Sequence, residues 1–450
     1  MIQTFVHPRS CRFSSDFALN VNGCPVEVLR TDVADFAIFV YDATQGPAEI
    51  EVSLLDRSIQ EHVIRPLSLE LEGSVNEVGQ LVFQMVAAHK VSVEIEGCRP
   101  LYVWANPPEL NIPSEDDPNV LYFKSGQTYE VGRLRMESGQ TLYIEGGAVL
   151  KGRVCAKDAH DITIRGLGIL DGSYYGAQHG ENAKSIFFER CQDVLVRDIT
   201  MIHPSAWMIV PGACERVEIC NVKQIGEVMC SDGIDIVGSK QVHVHDCFLR
   251  NNDDCVVVKA FLIHHDVHAD FSADFRVSPE AILVENCTFA NDPAGNAMEI
   301  GHELSVQRVS GVTFRNIDVL SVHGQGAVFS IHNNDRAIVE DILFEDIRIE
   351  HCWDKFIDFR ISKSRFSSDT ERGHIRNVTL RDINWLKSSN NDGYTISLIG
   401  GWDAEHRVEN VTLENICFNG VPIQHIDELE INTRHADDVC LVEPAVATVS

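Results

Sequence analysis

Between Ile162 and Ile416 the chain restates one short pattern, apolar-x-apolar-x-polar-apolar, with asparagine or aspartate in the polar slot. It reads Val194-Leu195-Val196-Arg197-Asp198-Ile199, then Val217-Glu218-Ile219-Cys220-Asn221-Val222, then Val242-His243-Val244-His245-Asp246-Cys247. Further copies stand at 282–287, 312–317, 342–347, 378–383 and 411–416, and an earlier one at 162–167 carries Gly166 in the polar slot. With the second apolar residue as anchor, the copies are 32, 23, 25, 40, 30, 30, 36 and 33 residues apart. Such intervals are too short and too β-prone for βαβ crossovers, and they fit the coils of a parallel β-helix with loops of varying length between coils. The Asn or Asp then falls at a corner, where its side chain satisfies backbone groups and its tolerance of unusual φ helps the bend. Cys247 and Cys287 fill a slot that is isoleucine in other copies and read as small apolar core residues.

Ahead of the repeat, short alternating segments such as Phe17-Ala18-Leu19-Asn20-Val21 and Val91-Ser92-Val93-Glu94-Ile95, with turn residues between them, predict a small β-sandwich. The acidic, proline-rich stretch at 107–118 interrupts this pattern as a linker does. The expected division is a sandwich over 1–112 and a β-helix over 113–450, an all-β protein throughout. Sixty-seven acidic against 37 basic residues give a net charge of −30, which disfavours a nucleic-acid partner. No run approaches the roughly 18 apolar residues of a membrane span. The start, Met1-Ile2-Gln3-Thr4-Phe5-Val6-His7-Pro8-Arg9, lacks the pattern of a secretory signal. Together with 14 cysteines read as reduced thiols, this predicts a cytoplasmic protein, or a secreted one if the start was trimmed. A homo-oligomer stays open.

The segment richest in chemistry is Cys230-Ser231-Asp232-Gly233-Ile234-Asp235-Ile236 followed by Asn251-Asn252-Asp253-Asp254-Cys255-Val256-Val257-Val258-Lys259. Asp232 and Asp253 are 21 residues apart, about one coil, so three carboxylates should crowd one patch. Crowding pushes carboxylate pKa values apart, leaving one protonated as an acid while others stay ionised as bases, as glycosidic hydrolysis requires. An acidic corner or a calcium site is the competing reading. Trp207, Asp232, His302 and His332 each lie 12 residues before the next anchor, which predicts one column along the helix: an indole for stacking, a carboxylate, and two imidazoles. The insertion at 260–270 holds three histidines and two aspartates but reads as a cleft wall, and neither metal nor cofactor is expected.

The runs Gly147-Ala148-Val149, Ile169-Leu170-Asp171-Gly172, Ser231-Asp232-Gly233-Ile234-Asp235, Asp253-Asp254-Cys255-Val256-Val257-Val258-Lys259 and Gly301-His302 resemble the polygalacturonase-like enzymes, glycoside hydrolase family 28. The sandwich is similar to the extra domain of some members and of the related dextranase and isopullulanase family. The resemblance implies a right-handed parallel β-helix and inverting hydrolysis of an oligo- or polysaccharide. It implies Asp253 as general acid, Asp232 and Asp254 activating the water, and His302 holding substrate. Three departures bear on the substrate. Cys230-Ser231-Asp232 stands for the family's Asn-Thr-Asp, Gly301-His302-Glu303 for Gly-His-Gly, and Ser330-Ile331-His332 for the Arg-Ile-Lys that grips galacturonate. At pH 7 an unperturbed imidazole is mostly neutral. A neutral or modified glycan is therefore expected, bound by Trp207, His302, Glu303 and His332, unless Arg360 one coil on restores the cation and with it a polygalacturonase. A non-catalytic glycan-binding β-helix and a β-helix lyase are the other classes left open.

Overall fold

In a computed structural model, residues 2–175, 183–263, 274–386 and 396–442 are described. From Val120–Phe123 to Ala436–Val442 the chain forms one continuous sheet system of 28 strands, nearly all paired in parallel with the strand one coil away. This is the right-handed parallel β-helix. Each coil contributes to three sheets. The first holds Ile209–Gly212, Ile234–Val237, Val256–Ala260, Met298–Leu304, Ala327–Asn333 and Lys355–Ile361. The second holds the repeat strands, including Glu215–Cys220 and Lys240–His245, and the third holds Thr200–Ile202, Lys223–Ile225 and Phe248–Asn251. From Glu280–Asn291 onward one long strand serves both the second and the third sheet.

The repeat's polar slot is the corner. Asp198, Asn221, Asp246, Asn286, Asn316, Asp346, Asp382 and Asn415 all have φ between 50° and 69°, the left-handed region that Asn and Asp tolerate best after glycine. Gly166 takes the same place at φ 112°. Corner side chains also bond from coil to coil: Asn316 Nδ2 donates to Asn286 Oδ1 at 2.7 Å, and Asn415 Nδ2 to Asp382 Oδ1 at 2.6 Å. A second left-handed position precedes the first apolar residue of each copy, at Asp161, Asp193, Arg216, Gln241, Ala281, Gly311, Asp341, Asn377 and Asn410. Mixed residue types conceal it in the sequence. The apolar slots, among them Val217, Ile219, Phe314, Phe344 and Leu380, fill the interior with Cys247 and Cys287. None of the 14 cysteines is in a disulfide.

Residues 2–106 form a six-stranded and a five-stranded sheet around their own apolar core. The six-stranded sheet turns its other face, with Phe36, Ile38, Tyr102 and Trp104, onto the outer face of the third β-helix sheet, with Ile169, Ile202, Ile225 and Phe248. Phe248 lies 5.0 Å from the Tyr102 ring and 5.8 Å from that of Trp104. Beside them the fully buried Lys223 donates to Asn106 Oδ1 at 2.8 Å and to Asn221 O at 2.9 Å, and burial lowers its pKa to about 7. The stretch between Asn106 and Val120 contains no strand. Because Trp104 is wholly buried in this contact, Trp104→Ala should cost about 3–5 kcal/mol. An unchanged urea midpoint would show that the contact contributes little.

Candidate active site

Asp232 ends the turn entering Ile234–Val237, and Asp253 and Asp254 end the turn entering Val256–Ala260. Gly233 N donates to Asp254 O at 2.8 Å, which sets Asp232 beside Asp254, while Met208 N donating to Asp232 O sets Trp207 on its other side. Asp253 then projects from the turn. One oxygen from each of the three carboxylates lies within 4.8 Å of the others. Asp254 Oδ1 accepts from Asn296 N at 2.7 Å and Asn296 Nδ2 at 2.9 Å, and Asp253 Oδ1 from Asp254 N at 3.0 Å. Gly295 passes close by at φ 73°, where a Cβ would stand 2.4 Å from Asp254 N and 2.5 Å from Asp253 Oδ1. Only glycine fits there.

Burial, then the charge of Asp232, raises the pKa of Asp253 to about 7. Burial, then the charge of Asp253, drives Asp254 upward as well. Lys259 supplies the local cation: its Nζ is 3.2 Å from Asp232 Oδ2, 2.9 Å from Asp235 Oδ1 and 4.2 Å from the centre of the Trp207 ring. Glu303 is pushed up by burial, with Lys259 opposing.

Further along the same face, His332 Nδ1 lies 3.1 Å from Glu299 Oε1 and Nε2 lies 3.2 Å from Asp358 Oδ2. Burial works against its charge, but Glu299 and Asp358 outweigh it and raise the imidazole to about 9. Two carboxylates on one ring thus favour its charged form. The expectation of a neutral ring rests on the unperturbed pKa, whereas the carboxylates that shift this ring upward come from two other coils. His302 stacks on His332 at 4.4 Å and 2°, with Phe366 on its other side at 5.0 Å. Burial, reinforced by the His332 charge, holds His302 down at about 4. Asn334 Nδ2 donates to His302 Nδ1 at 3.0 Å, an arrangement that leaves Nε2–H as the ring's donor. Arg360 sits opposite His332 in the next coil, 3.1 Å from His332 Nε2 and 2.8 Å from Asp358 Oδ2.

The expected single column needs correction. Trp207 and Asp232 are neighbours in register, but His302 is opposite Asn333, and His332 is opposite Gly301 and Arg360. The residue level with Asp254 in the next coil is Asn296. Counting back from an anchor assumes equal strand lengths, whereas Met298–Leu304 runs for seven residues and Ile234–Val237 for four. Glu299 and Asp358 stand outside the sequence motifs, and Asp235 and Lys259 stand inside them without an expected role. All four are the polar member of an apolar-polar-apolar triplet in a first-sheet strand, a period of two that marks the outward face. The histidines and aspartates of the 260–270 insertion lie outside the described residues.

The description "Glycosyl hydrolases family 28" belongs to the family model that matches residues 154–436. The chain belongs to this family. A probable rhamnogalacturonase A from Aspergillus oryzae is 28% identical over 236 residues, 51% of this chain and 43% of that protein. A polygalacturonase from Chamaecyparis obtusa is 26% identical over 114 residues, 22% of each. The matches thus span less than half the length of either relative. Among solved structures, Dex49A from Penicillium minioluteum superposes with a TM-score of 0.66 at 14% identity, covering 94% of this chain and 92% of that one. The hyperthermoactive exopolygalacturonase from Thermotoga maritima gives 0.51 at 16% identity, over 72% and 83%. At these identities the structures share the fold.

In this family 28 member, His332 has a folded pKa of about 9 against an unfolded value of about 6.5. Its stabilising contribution is therefore fully present below about pH 6.5 and is lost as pH rises through about 9. The urea midpoint should fall over that window, and the fall should be shallower in His332→Gln. Equal slopes would mean that the imidazole is not held charged.

Proposed function

We propose that the protein hydrolyses the glycosidic bond of a neutral or modified oligosaccharide. The observation that carries this reading is that the cleft's cations already face carboxylates of the chain itself: Lys259 faces Asp232 and Asp235, His332 faces Glu299 and Asp358, and Arg360 faces Asp358. A sugar carboxylate loses its hydration on binding, and a cation already matched by a buried anion offsets little of that cost. The Asp253–Asp254 pair, sharing one proton, adds further negative charge to the same face. A neutral pyranose needs hydrogen bonds and a stacking surface, which His302 and Trp207 offer.

Asp253 acts as general acid in this reading. Two adjacent carboxylates do not both ionise cheaply, so the pair keeps a proton, and the two N–H donors on Asp254 Oδ1 favour its placement on Asp253. Asp253 gives that proton to the glycosidic oxygen while Asp254 and Asp232 take one from the attacking water. The carboxylate oxygens are closer than the roughly 6.5–9.5 Å of most inverting pairs, so inversion rests here on family membership. We place the enzyme in a reducing compartment, acting on an imported oligosaccharide, because eight of its cysteines are buried as thiols.

Asp253→Asn should lower kcat at least about a hundredfold with the fold intact. Wild-type kcat/KM should decline as pH rises through about 7, because the acid must be protonated to act. Proton NMR of the first minutes should show the inverted anomer; the retained anomer would make one aspartate a nucleophile.

A second reading, cleavage of pectic oligosaccharides, is favoured by one feature. The Arg360 side chain is 41% exposed and, with Trp402 and Arg434, borders a cleft of about 530 Å³. Measured kcat/KM should be higher on some member of a neutral oligosaccharide panel than on trigalacturonate. Efficient cleavage of trigalacturonate, abolished by Arg360→Ala, would reverse the assignment.

A further inference from the structure

On the second sheet, away from the catalytic face, Cys220 differs from the other buried cysteines. Cys191, Cys214, Cys247, Cys255, Cys287 and Cys352 join the β-helix core, whereas Cys220 is 5% exposed yet belongs to none of the apolar clusters. It occupies an outward slot of its repeat copy, between Arg197 and His245 of the adjoining coils. Glu218, two residues earlier, shares that outward face. One ligand atom each from Glu218, Cys220 and His245 lies within 4.8 Å of the others.

We propose that Glu218, Cys220 and His245 form a three-residue site for zinc(II), with solvent supplying the fourth ligand. Thiolate, imidazole and carboxylate on one small patch are the donors this borderline-soft ion takes. His245 Nε2 and Glu218 Oε1 are 3.3 Å apart, close to the about 3.4 Å edge of a tetrahedron with metal–ligand bonds near 2.1 Å. The other ring nitrogen is already fixed: His245 Nδ1 bonds Asp246 Oδ2 at 2.7 Å. A carboxylate on the distal nitrogen orients a metal-binding histidine and raises its basicity. His243 stacks on His245 at 4.3 Å and is itself held 2.9 Å from Glu285 Oε1, which restricts the ring further. The backbone register that places Cys220 opposite His245 sets the donors before any ion arrives. Glu218 at 51% and His245 at 22% side-chain exposure leave an approach from solvent.

Equilibrium dialysis of the reduced, full-length protein against zinc chloride should give one zinc per chain that Cys220→Ser, and separately the exposed Glu218→Gln, weaken at least about tenfold. Asp246→Asn should weaken binding by about 10- to 100-fold, the usual effect of losing such a supporting partner. Cobalt(II) titration should produce the intense visible bands of tetrahedral coordination and a sulfur-to-cobalt charge-transfer band, the latter lost in Cys220→Ser. Zinc binding that survives both Cys220→Ser and Glu218→Gln would place the ion at another cluster and overturn the proposal. So would the absence of stoichiometric zinc, or a weak octahedral cobalt spectrum.

Discussion

The backbone ladder between coils is the constraint on which everything else depends. Parallel strands about 4.8 Å apart must meet like to like along the helix axis, so a corner must bend at the same point in every turn. A corner needs a residue that accepts positive φ, and from Asp198 to Asn415 the chain supplies Asn or Asp at that point every time. Coil length is then free to vary between corners, because the excess leaves the ladder as a loop. The same ladder sets residues about 20 to 40 apart in sequence side by side. It does so for Asp232 and Asp254, and for Cys220 and His245.

On the outward face of the first sheet this register would be costly if charges of one sign were simply stacked. Asp235, Glu299 and Asp358 lie on outward positions of the first sheet with little exposure. Two cations compensate: Lys259 bridges Asp232 and Asp235 of the neighbouring coil, and His332 bridges Glu299 and Asp358 of the coils on either side of it. The effect on Asp232 and Asp253 is uneven. Asp232 faces the Lys259 ammonium, whereas Asp253 stands in the turn and is moved chiefly by burial and by Asp232. A difference in surroundings of this kind separates an acid from a base when both are aspartates.

The fold was legible in the sequence because its determinants are local. The repeat gave both the interior positions and the left-handed corner, and the sandwich strands at Phe17–Val21 and Lys90–Ile95 followed from alternation. The run of Asp232, Asp253 and Asp254 was legible as a carboxylate patch for the same reason. What was hidden depends on other coils. The charge of His332 comes from Glu299 and Asp358, and the offset between His302 and Asp232 comes from strand lengths that the anchor spacing does not report. The left-handed residue before the first apolar position of each copy was hidden for a different reason, since Arg216, Gln241 and Ala281 carry no turn signal in their side chains.

The three outward faces of the β-helix divide its chemistry. The third presents Ile169 and Phe248 in one row and Ile202 and Ile225 in the row beside it, and it is the face the sandwich covers. The second is ionic from coil to coil, as Arg381 shows by meeting Glu345 at 3.0 Å and Glu414 at 2.8 Å, and it needs no cover. The first bears the carboxylates of the candidate active site. Had the sandwich docked on either of the other two faces, it would have buried ion pairs at a desolvation cost or closed the cleft. Its position therefore follows from which outward slots are apolar, and those slots are already written in Ile169, Ile202, Ile225 and Phe248.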